Sequence, residues 1–140
     1  MEKIFSESAR KEGQEILIHI ITRCEDIVKG RRDLSDVNEF LQIATINMDK
    51  GKTFYPHKHI WKDAAKTAIA QESWIVIKGR VRVMLYDLDD KIIKEDILMP
   101  GDASITFYGG HNYESLEEDT LVYECKSSRY EGVEKDKIAI

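Results

Sequence analysis

Cysteine and proline are scarce in this chain, whose 140 residues include only two of each. Cys24 and Cys125 are far apart and form no C-x-x-C pattern, so the sequence supports neither a disulfide framework nor a zinc ribbon. A long apolar run is also lacking. The longest hydrocarbon-rich stretch, 16–21, has six residues and includes His19, whereas a membrane-spanning helix needs about 20 apolar residues. We therefore expect no membrane span.

The sequence also lacks an excess of basic charge. Lys and Arg together number 21 against 26 for Asp and Glu, which gives a formal net charge of -5. This balance opposes attraction to phosphate backbones and to anionic membranes. Residues 1–14 lack the basic cap and apolar block of a secretory signal. We therefore expect a cytoplasmic protein that binds neither nucleic acid nor membrane.

From residue 40 onward the chain consists of short runs rich in Val, Ile, Thr, Tyr and Phe, separated by turn-forming residues. The predicted strands are Phe40–Met48, Thr53–His59, Ile69–Lys78, Arg80–Asp87, Lys91–Leu98, Ser104–Tyr108 and Thr120–Lys126. Seven strands joined by tight turns are typical of an all-β sandwich or barrel. The length favours one domain over residues 1–140, with the barrel core at about 40–127.

The two ends of the chain have a less regular pattern. In the N-terminal arm, residues 1–39, the run 16–21 is predicted as a strand and 30–36 as a surface loop. One helical turn over 35–39, capped by Ser35, is expected next. In the C-terminal tail, 128–140, the charged stretch 129–137 is predicted to lie over the surface, with Ile138 and Ile140 docking back.

Three of the four histidines occur in a pattern that suggests metal binding. His57 and His59 are two residues apart, a spacing that places both imidazoles on one face of a strand. Glu72 opens a later predicted strand, and His111 follows the pair Gly109-Gly110. Three imidazoles and a carboxylate can form the ligand shell of a divalent transition metal, namely Zn, Fe, Mn or Ni. His19, alone in an apolar run, is not expected to be a ligand.

These residues carry a resemblance to a known family, the cupin superfamily. Its first conserved motif is matched by Gly51, His57-Lys58-His59, Glu72 and Gly79, and its second by Gly101, Gly109 and His111. The sequence departs from the pattern in two places: twelve residues separate His59 from Glu72, a longer gap than usual, and Phe107 stands where the second motif has proline. The longer gap leaves Gln71 as the competing choice for the carboxylate position.

The resemblance implies a double-stranded β-helix, or jelly-roll, barrel in which His57, His59, Glu72 and His111 are the metal ligands. The runs 71–74, 86–90 and 109–113 look like those of small single-domain cupins encoded among bacterial surface-polysaccharide genes. A homodimer is a further expectation.

The fold hosts many reactions, so the function must be argued from the site. We expect a metal-dependent enzyme acting on a small polar metabolite, such as a sugar or nucleotide-sugar derivative, by isomerase, epimerase or oxygenase chemistry. Tyr113 shares strand parity with His111 and is the candidate acid or base. Two alternatives stay open: a non-catalytic ligand-binding or sensor protein, and a metal-free sugar ketoisomerase.

Overall fold

The computed structural model describes residues 1–140, and most of its regular structure is β-strand. The strands are β1 (Glu2–Phe5), β2 (Leu17–Ile21), β3 (Gly30–Asp33), β4 (Leu41–Met48), β5 (His57–His59), β6 (Glu72–Lys78), β7 (Val81–Tyr86), β8 (Ile92–Leu98), β9 (Ala103–Thr106), β10 (Gly110–Ser115), β11 (Thr120–Ser127) and β12 (Lys137–Ala139). The helical elements are α1 (Glu7–Lys11), a 3-10 turn at Cys24–Asp26 and α2 (Val133–Asp136).

Ten of the strands form two five-stranded sheets. The strand order is β12-β5-β10-β7-β8 in one sheet and β3-β4-β11-β6-β9 in the other. All pairings within these sheets are antiparallel. Neighbours in a sheet are mostly distant in sequence, so the chain crosses repeatedly between the sheets, as in a jelly roll.

A hydrophobic core fills part of the space between the sheets. Side chains alternate along each strand, so every second residue points inward. In β7, for example, Val81 and Val83 are buried while Arg82 is exposed. The buried core cluster comprises Ile46, Met48, Trp74, Val76, Val81, Val83, Tyr113 and Val122. Each fully buried apolar side chain stabilises the fold by about 1.5–3 kcal/mol.

The turn between β6 and β7 requires glycine. Gly79 has a φ of +79°, and a Cβ at this position would lie 2.4 Å from the Thr120 side-chain oxygen. Any larger residue would therefore be strained by its backbone and would clash with β11.

Each of the seven predicted strands overlaps an observed strand, but several predictions are too long. Only the last three residues of the predicted strand Thr53–His59 form an observed strand, β5. Pro56 directly precedes β5, and the residues before it make only an isolated bridge at Thr53. The predicted loop at 30–36 is wrong, since Gly30–Asp33 forms β3 and pairs with β4. No helix forms at 35–39, where the Ser35 hydroxyl instead accepts a hydrogen bond from the Ile43 amide.

The structure contains one central strand that the sequence analysis missed. Strand β10 begins with glycine and carries His, Asn, Glu and Ser, a composition with low strand propensity. It is nevertheless paired on both sides, with β5 and with β7. Pairing to two neighbours overrides the weak local preference, and this strand carries His111 and Tyr113.

The N-terminal residues form a separate two-stranded sheet. Strands β1 and β2 pair with each other, and α1 lies between them. Ile16, Leu17, Ile18 and Ile21 all remain exposed in this hairpin. The predicted strand at 16–21 is confirmed as β2.

The longest helical element of the structure has five residues, and none of these elements could span a membrane.

Candidate metal centre

The structure brings together the four side chains predicted as metal ligands. His57 and His59 lie on β5 and His111 on β10, in one sheet, whereas Glu72 reaches in from β6 of the facing sheet. One ligand atom from each residue lies within 4.8 Å of the ligand atoms of the other three. Strands that are far apart in sequence and belong to two different sheets therefore bring their side chains into one cluster.

Strand register places the three imidazoles side by side. His111 is paired with His57 across β10 and β5, and their ring centroids are 4.6 Å apart. His59 lies two residues from His57, on the same face, and its ring centroid is 5.7 Å from each of the other two.

Hydrogen bonds to backbone carbonyls fix two of the rings. The Nδ1 atom of His57 is 2.9 Å from the Tyr55 carbonyl oxygen, and that of His59 is 3.2 Å from the Asp136 carbonyl oxygen. Because a carbonyl only accepts, Nδ1 carries the hydrogen in both rings, and in a neutral imidazole the lone pair is then on Nε2. Metal-binding histidines usually donate one ring N–H to a carbonyl oxygen in this way, which orients the other nitrogen toward the metal.

Glu72 is the carboxylate of the cluster. Its Oε2 atom is 3.2 Å from His59 Nε2, and its Oε1 atom accepts a hydrogen bond of 3.0 Å from Trp74 Nε1. His111 Nε2 lies 3.3 Å from the same Oε1 atom without making a hydrogen bond. Gln71, the competing choice, precedes β6, and its backbone N–H and carbonyl group bond to Ser127 of β11.

The cluster shifts the pKa of three of its members. Burial raises the pKa of Glu72, but the imidazoles of His111 and His59 outweigh this effect and hold it well below its ordinary value. Burial lowers the pKa of His59, but hydrogen bonds to Asp136 and Glu72 outweigh it and raise the pKa to about 9. Burial, the largest effect at His57, lowers its pKa to about 4. At neutral pH and without a metal, His59 is therefore protonated and His57 is neutral.

The donor set fits a divalent transition metal. His111 has a fully buried side chain, and neither of its ring nitrogens has a hydrogen-bond partner. Such an unpartnered group costs about 1–3 kcal/mol, and a metal ion would use one of these nitrogens. The ligand atoms of the four side chains lie within 4.8 Å of one another, so one ion would be within reach of all four. Three imidazoles and a carboxylate suit Zn, Fe, Mn or Ni.

Tyr113, the predicted acid or base, lies next to the cluster. Its ring stacks on Trp74 with centroids 4.1 Å apart and lies 5.4 Å from the His111 ring. Its hydroxyl is 2.8 Å from the Ser104 hydroxyl. Burial raises the pKa of Tyr113 above its ordinary value. The hydroxyl therefore stays protonated at neutral pH and is suited to donating a hydrogen bond. His19 lies in the exposed hairpin and is not part of the cluster.

A cavity of about 380 Å³ opens beside the cluster. Its walls include His57 and Glu72 together with aromatic and cationic side chains, among them Phe54, Trp74, Tyr113, Arg31, Lys126 and Lys137. A space of this size accommodates a small molecule, with aromatic surfaces to pack against its carbon skeleton and charged groups to orient it.

The C-terminal tail supplies two site residues that the sequence analysis missed. The prediction that 129–137 lies over the surface is wrong for Asp136, which is completely buried beneath His59. Lys137 follows in β12, and its Nζ atom is 3.4 Å from His57 Nε2. A charged tail is usually solvated, so the sequence contains no signal for this docking apart from the apolar Ile138 and Ile140. Of these, Ile140 packs against Gly110, whereas Ile138 stays exposed.

Buried ionic contacts surround Asp136. Its carboxylate accepts a hydrogen bond of 3.0 Å from Lys126 Nζ and lies 3.3 Å from Lys62 Nζ. Burial raises the pKa of Asp136, but its contact with His59 and the charge of Lys126 outweigh this effect and hold it below its ordinary value. Asp136 therefore stays ionised behind His59 and fixes the orientation of that ring.

Comparison with known proteins identifies the architecture. A scan against protein-family models and a search of curated proteins each give no match. Among solved structures, KdgF from Halomonas sp. matches with a TM-score of 0.57 and 24% identity, over 71% of this chain and 80% of that chain. A Klebsiella pneumoniae protein described as having a double-stranded β-helix domain matches with a TM-score of 0.54 and 15% identity, over 73% and 78% of the two chains. This chain has the cupin-type fold.

The cupin-type fold is shared with larger proteins as well. Oxalate decarboxylase from Bacillus subtilis matches with a TM-score of 0.58 and 19% identity, over 81% of this chain but only 29% of that one. The predicted all-β, double-stranded β-helix architecture is thus confirmed. Because all these identities are low, the comparisons establish the fold, and the chemistry has to be argued from the cluster itself.

Proposed function

We propose that the protein is a metal-dependent enzyme in which His57, His59, Glu72 and His111 hold a divalent transition metal beside the cavity. The observation that carries the proposal is the arrangement of lone pairs. The Nδ1 hydrogens of His57 and His59 are directed to carbonyl oxygens, so Nε2 is the atom that each ring can offer to a metal. His59 Nε2 faces the Glu72 carboxylate, and the His57 ring lies against that of His111. In the metal-free protein a proton on His59 and the ammonium group of Lys137 lie against these two nitrogens, and a divalent metal among the four side chains would replace the proton.

The substrate class proposed is a small polar metabolite, such as a sugar or nucleotide-sugar derivative. When bound, the metal would supply a Lewis acid for isomerase or epimerase chemistry, or a redox centre for oxygenase chemistry. The walls formed by Phe54 and Trp74 would exclude water from one side of the substrate. The protonated hydroxyl of Tyr113 would donate a hydrogen bond to a substrate oxygen, the role we propose for it in place of a general base.

A metal-free ketoisomerase is the second candidate, and one observation favours it. His59 and Glu72 face each other at 3.2 Å, and the raised pKa of His59 keeps a proton between them at neutral pH. Such a pair could move a proton without a metal. Its weakness is His111, which would remain buried and unpartnered.

Metal analysis of matched variants tests the proposal. Purified wild-type protein should contain about one divalent ion per chain by elemental analysis. Glu72→Gln keeps the size of the side chain but removes its charge, so metal content should fall sharply. His57→Ala should do the same with the barrel retained by circular dichroism, because it leaves the apolar core intact. His19→Ala, the matched control in the exposed hairpin, should retain wild-type metal content.

Two outcomes would contradict this assignment. Retention of metal in both His57→Ala and Glu72→Gln would show that these side chains are not the ligands. Isomerase activity in a fully metal-free wild-type protein would favour the ketoisomerase instead. The single-domain organisation of residues 1–140, the cytoplasmic location and the homodimer remain predictions.

A further inference from the structure

Three cationic side chains line the cavity, and two of them are already paired with carboxylates of the protein. Arg31 Nη2 is 2.7 Å from Glu124 Oε1, and its Nε atom is 2.9 Å from Asp33 Oδ1. Lys126 Nζ donates a hydrogen bond of 3.0 Å to Asp136. These two cations are therefore neutralised by fixed internal partners and contribute little free positive charge to the cavity.

Lys137 differs from the other two. Its Nζ atom has no carboxylate oxygen within 4.0 Å, and its hydrogen-bond partner is the Nε2 atom of His57 at 3.4 Å. The pairing of β12 with β5 places Lys137 opposite His59, so the side chain is held beside the cluster by backbone register. A part-buried ammonium group with no counter-ion is unfavourable unless an anion joins it.

The partner of Lys137 is also the atom that a metal would need. His57 Nδ1 is committed to the Tyr55 carbonyl, so Nε2 bears the only lone pair that the ring can offer to a metal. Once that lone pair is used, Lys137 loses its acceptor and remains next to a divalent cation. Two positive charges at short range in a partly desolvated cavity repel each other. An anionic group bound between them would turn this repulsion into attraction.

We infer that Lys137 anchors the carboxylate group of a small hydroxycarboxylate substrate beside the cluster, an inference that rests on the proposed metal-dependent function. Lys137 offers one unpaired positive charge, which matches the single negative charge of a carboxylate. Arg31 and Lys126 are both engaged, so the cavity offers a phosphate dianion no second free cationic side chain beside Lys137. The other carboxylates of the cavity, Glu72, Glu124 and Asp33, each have a basic partner within 3.3 Å.

A matched pair of probes tests this inference. Glycolate and glycolamide have nearly the same shape and differ in charge at one end. Calorimetric affinities for both are measured with Zn²⁺-loaded wild type and with Lys137→Met, and metal content is determined for each sample. The wild type should prefer glycolate over glycolamide more strongly than the variant does. The preference is the affinity for glycolate divided by the affinity for glycolamide. The wild-type preference divided by that of the variant should be roughly 10 to 100, as expected for loss of one charge-assisted hydrogen bond. Because both proteins are measured with the same metal, its contribution to binding cancels in this ratio.

Controls separate the possible outcomes. Lys135→Met, at an exposed position two residues earlier, should keep the wild-type preference. Lys137→Arg keeps the positive charge and should retain part of the preference for glycolate. An equal preference in wild type and Lys137→Met at full metal occupancy would overturn the inference while leaving the metal site intact. Tighter, Lys137-dependent binding of methyl phosphate than of glycolate would overturn the assignment to carboxylates.

The same measurements without added metal keep the two proposals distinguishable. If wild-type protein does not bind Zn²⁺, the proposed function fails on metal content alone. The glycolate preference of the metal-free proteins then decides whether Lys137 is an anion anchor in its own right. Absence of any glycolate binding by the wild type, with or without metal, would also overturn the inference.

Discussion

The two ends of the space between the sheets differ in chemistry although the same strands build both. Along β6, the inward side chains of Val76, Trp74 and Glu72 follow one another, all at most 5% exposed. Along β11, Val122, Glu124 and Lys126 share one face in the same way, because they are spaced by two. One end is an apolar core, and the other end holds buried ionisable groups.

This difference separates stability from function within one fold. Apolar burial stabilises the folded state, whereas buried charges cost free energy unless they are paired or bind a metal. The stacked rings of Trp74 and Tyr113 lie at the boundary between the two ends. We therefore expect that the side chains of the polar end can be altered without loss of the barrel. The following predictions test how independent the two ends are.

The largest expected effect is at the apolar end. Met48 is buried in the core, so Met48→Ala should lower the free energy of unfolding by about 2–5 kcal/mol. Urea denaturation monitored by circular dichroism measures this change. Metal content per folded molecule should remain that of the wild type. Loss of metal from folded Met48→Ala protein would show that the two ends are coupled.

A smaller effect is expected at the polar end, behind the cluster. Asp136→Asn removes the charge that supports His59, so metal affinity should fall about 10- to 100-fold while the barrel is retained. Competition with a chelator of known affinity measures the loss. The control is Glu134→Gln, on the same short helix and exposed. Unchanged affinity in Asp136→Asn would show that the carbonyl group alone orients the ring.

The pH dependence of metal binding gives a further test of the polar end. Since the pKa of His59 is about 9 and that of His57 about 4, metal binding between pH 7 and 9 should release a proton from His59 and none from His57. Apparent metal affinity should then rise about tenfold per pH unit in this window. Titration calorimetry in buffers of different ionisation enthalpy counts the protons. Release of two or more would mean that a second imidazole of the cluster is also protonated.

The metal-free protein should respond to pH in the opposite direction. The folded pKa of His59 lies above its ordinary value of 6.5, so its contribution to stability is fully present below pH 6.5 and is lost as pH rises through about 9. The melting temperature of the metal-free protein should therefore fall over this interval. Metal-loaded protein, in which His59 is already deprotonated, should lack this decrease.

The smallest effect is expected on the outer face of a sheet, where Arg82 of β7 is paired with Glu114 of β10. Arg82 forms an exposed ion pair with Glu114, with 45% of the Arg82 side chain exposed. Arg82→Ala should change the free energy of unfolding by about 0–1 kcal/mol and leave metal affinity unaltered. The urea and chelator measurements used above apply directly. A change of several kcal/mol in the free energy of unfolding would show that the outer face also contributes to stability.

The sequence was sufficient to predict the architecture and the four clustered side chains. Turn residues and alternating apolar positions depend on local backbone geometry, and the His57–His59 spacing fixes a common strand face. Strand β10 was missed because its residues have weak strand propensity and depend on partners at distant positions. Asp136 and Lys137 were missed because nothing local distinguishes a docked charged tail from a solvated one.

The position of Trp74 has a spectroscopic consequence. It is one of two tryptophans, and its indole nitrogen donates directly to Glu72. Trp61, in contrast, is 37% exposed and accessible to a soluble quencher such as iodide. With Trp61 quenched, the remaining emission comes from the ring beside the carboxylate. Ligand exchange at Glu72 should then change the intrinsic fluorescence, so metal occupancy can be monitored in real time without an added dye.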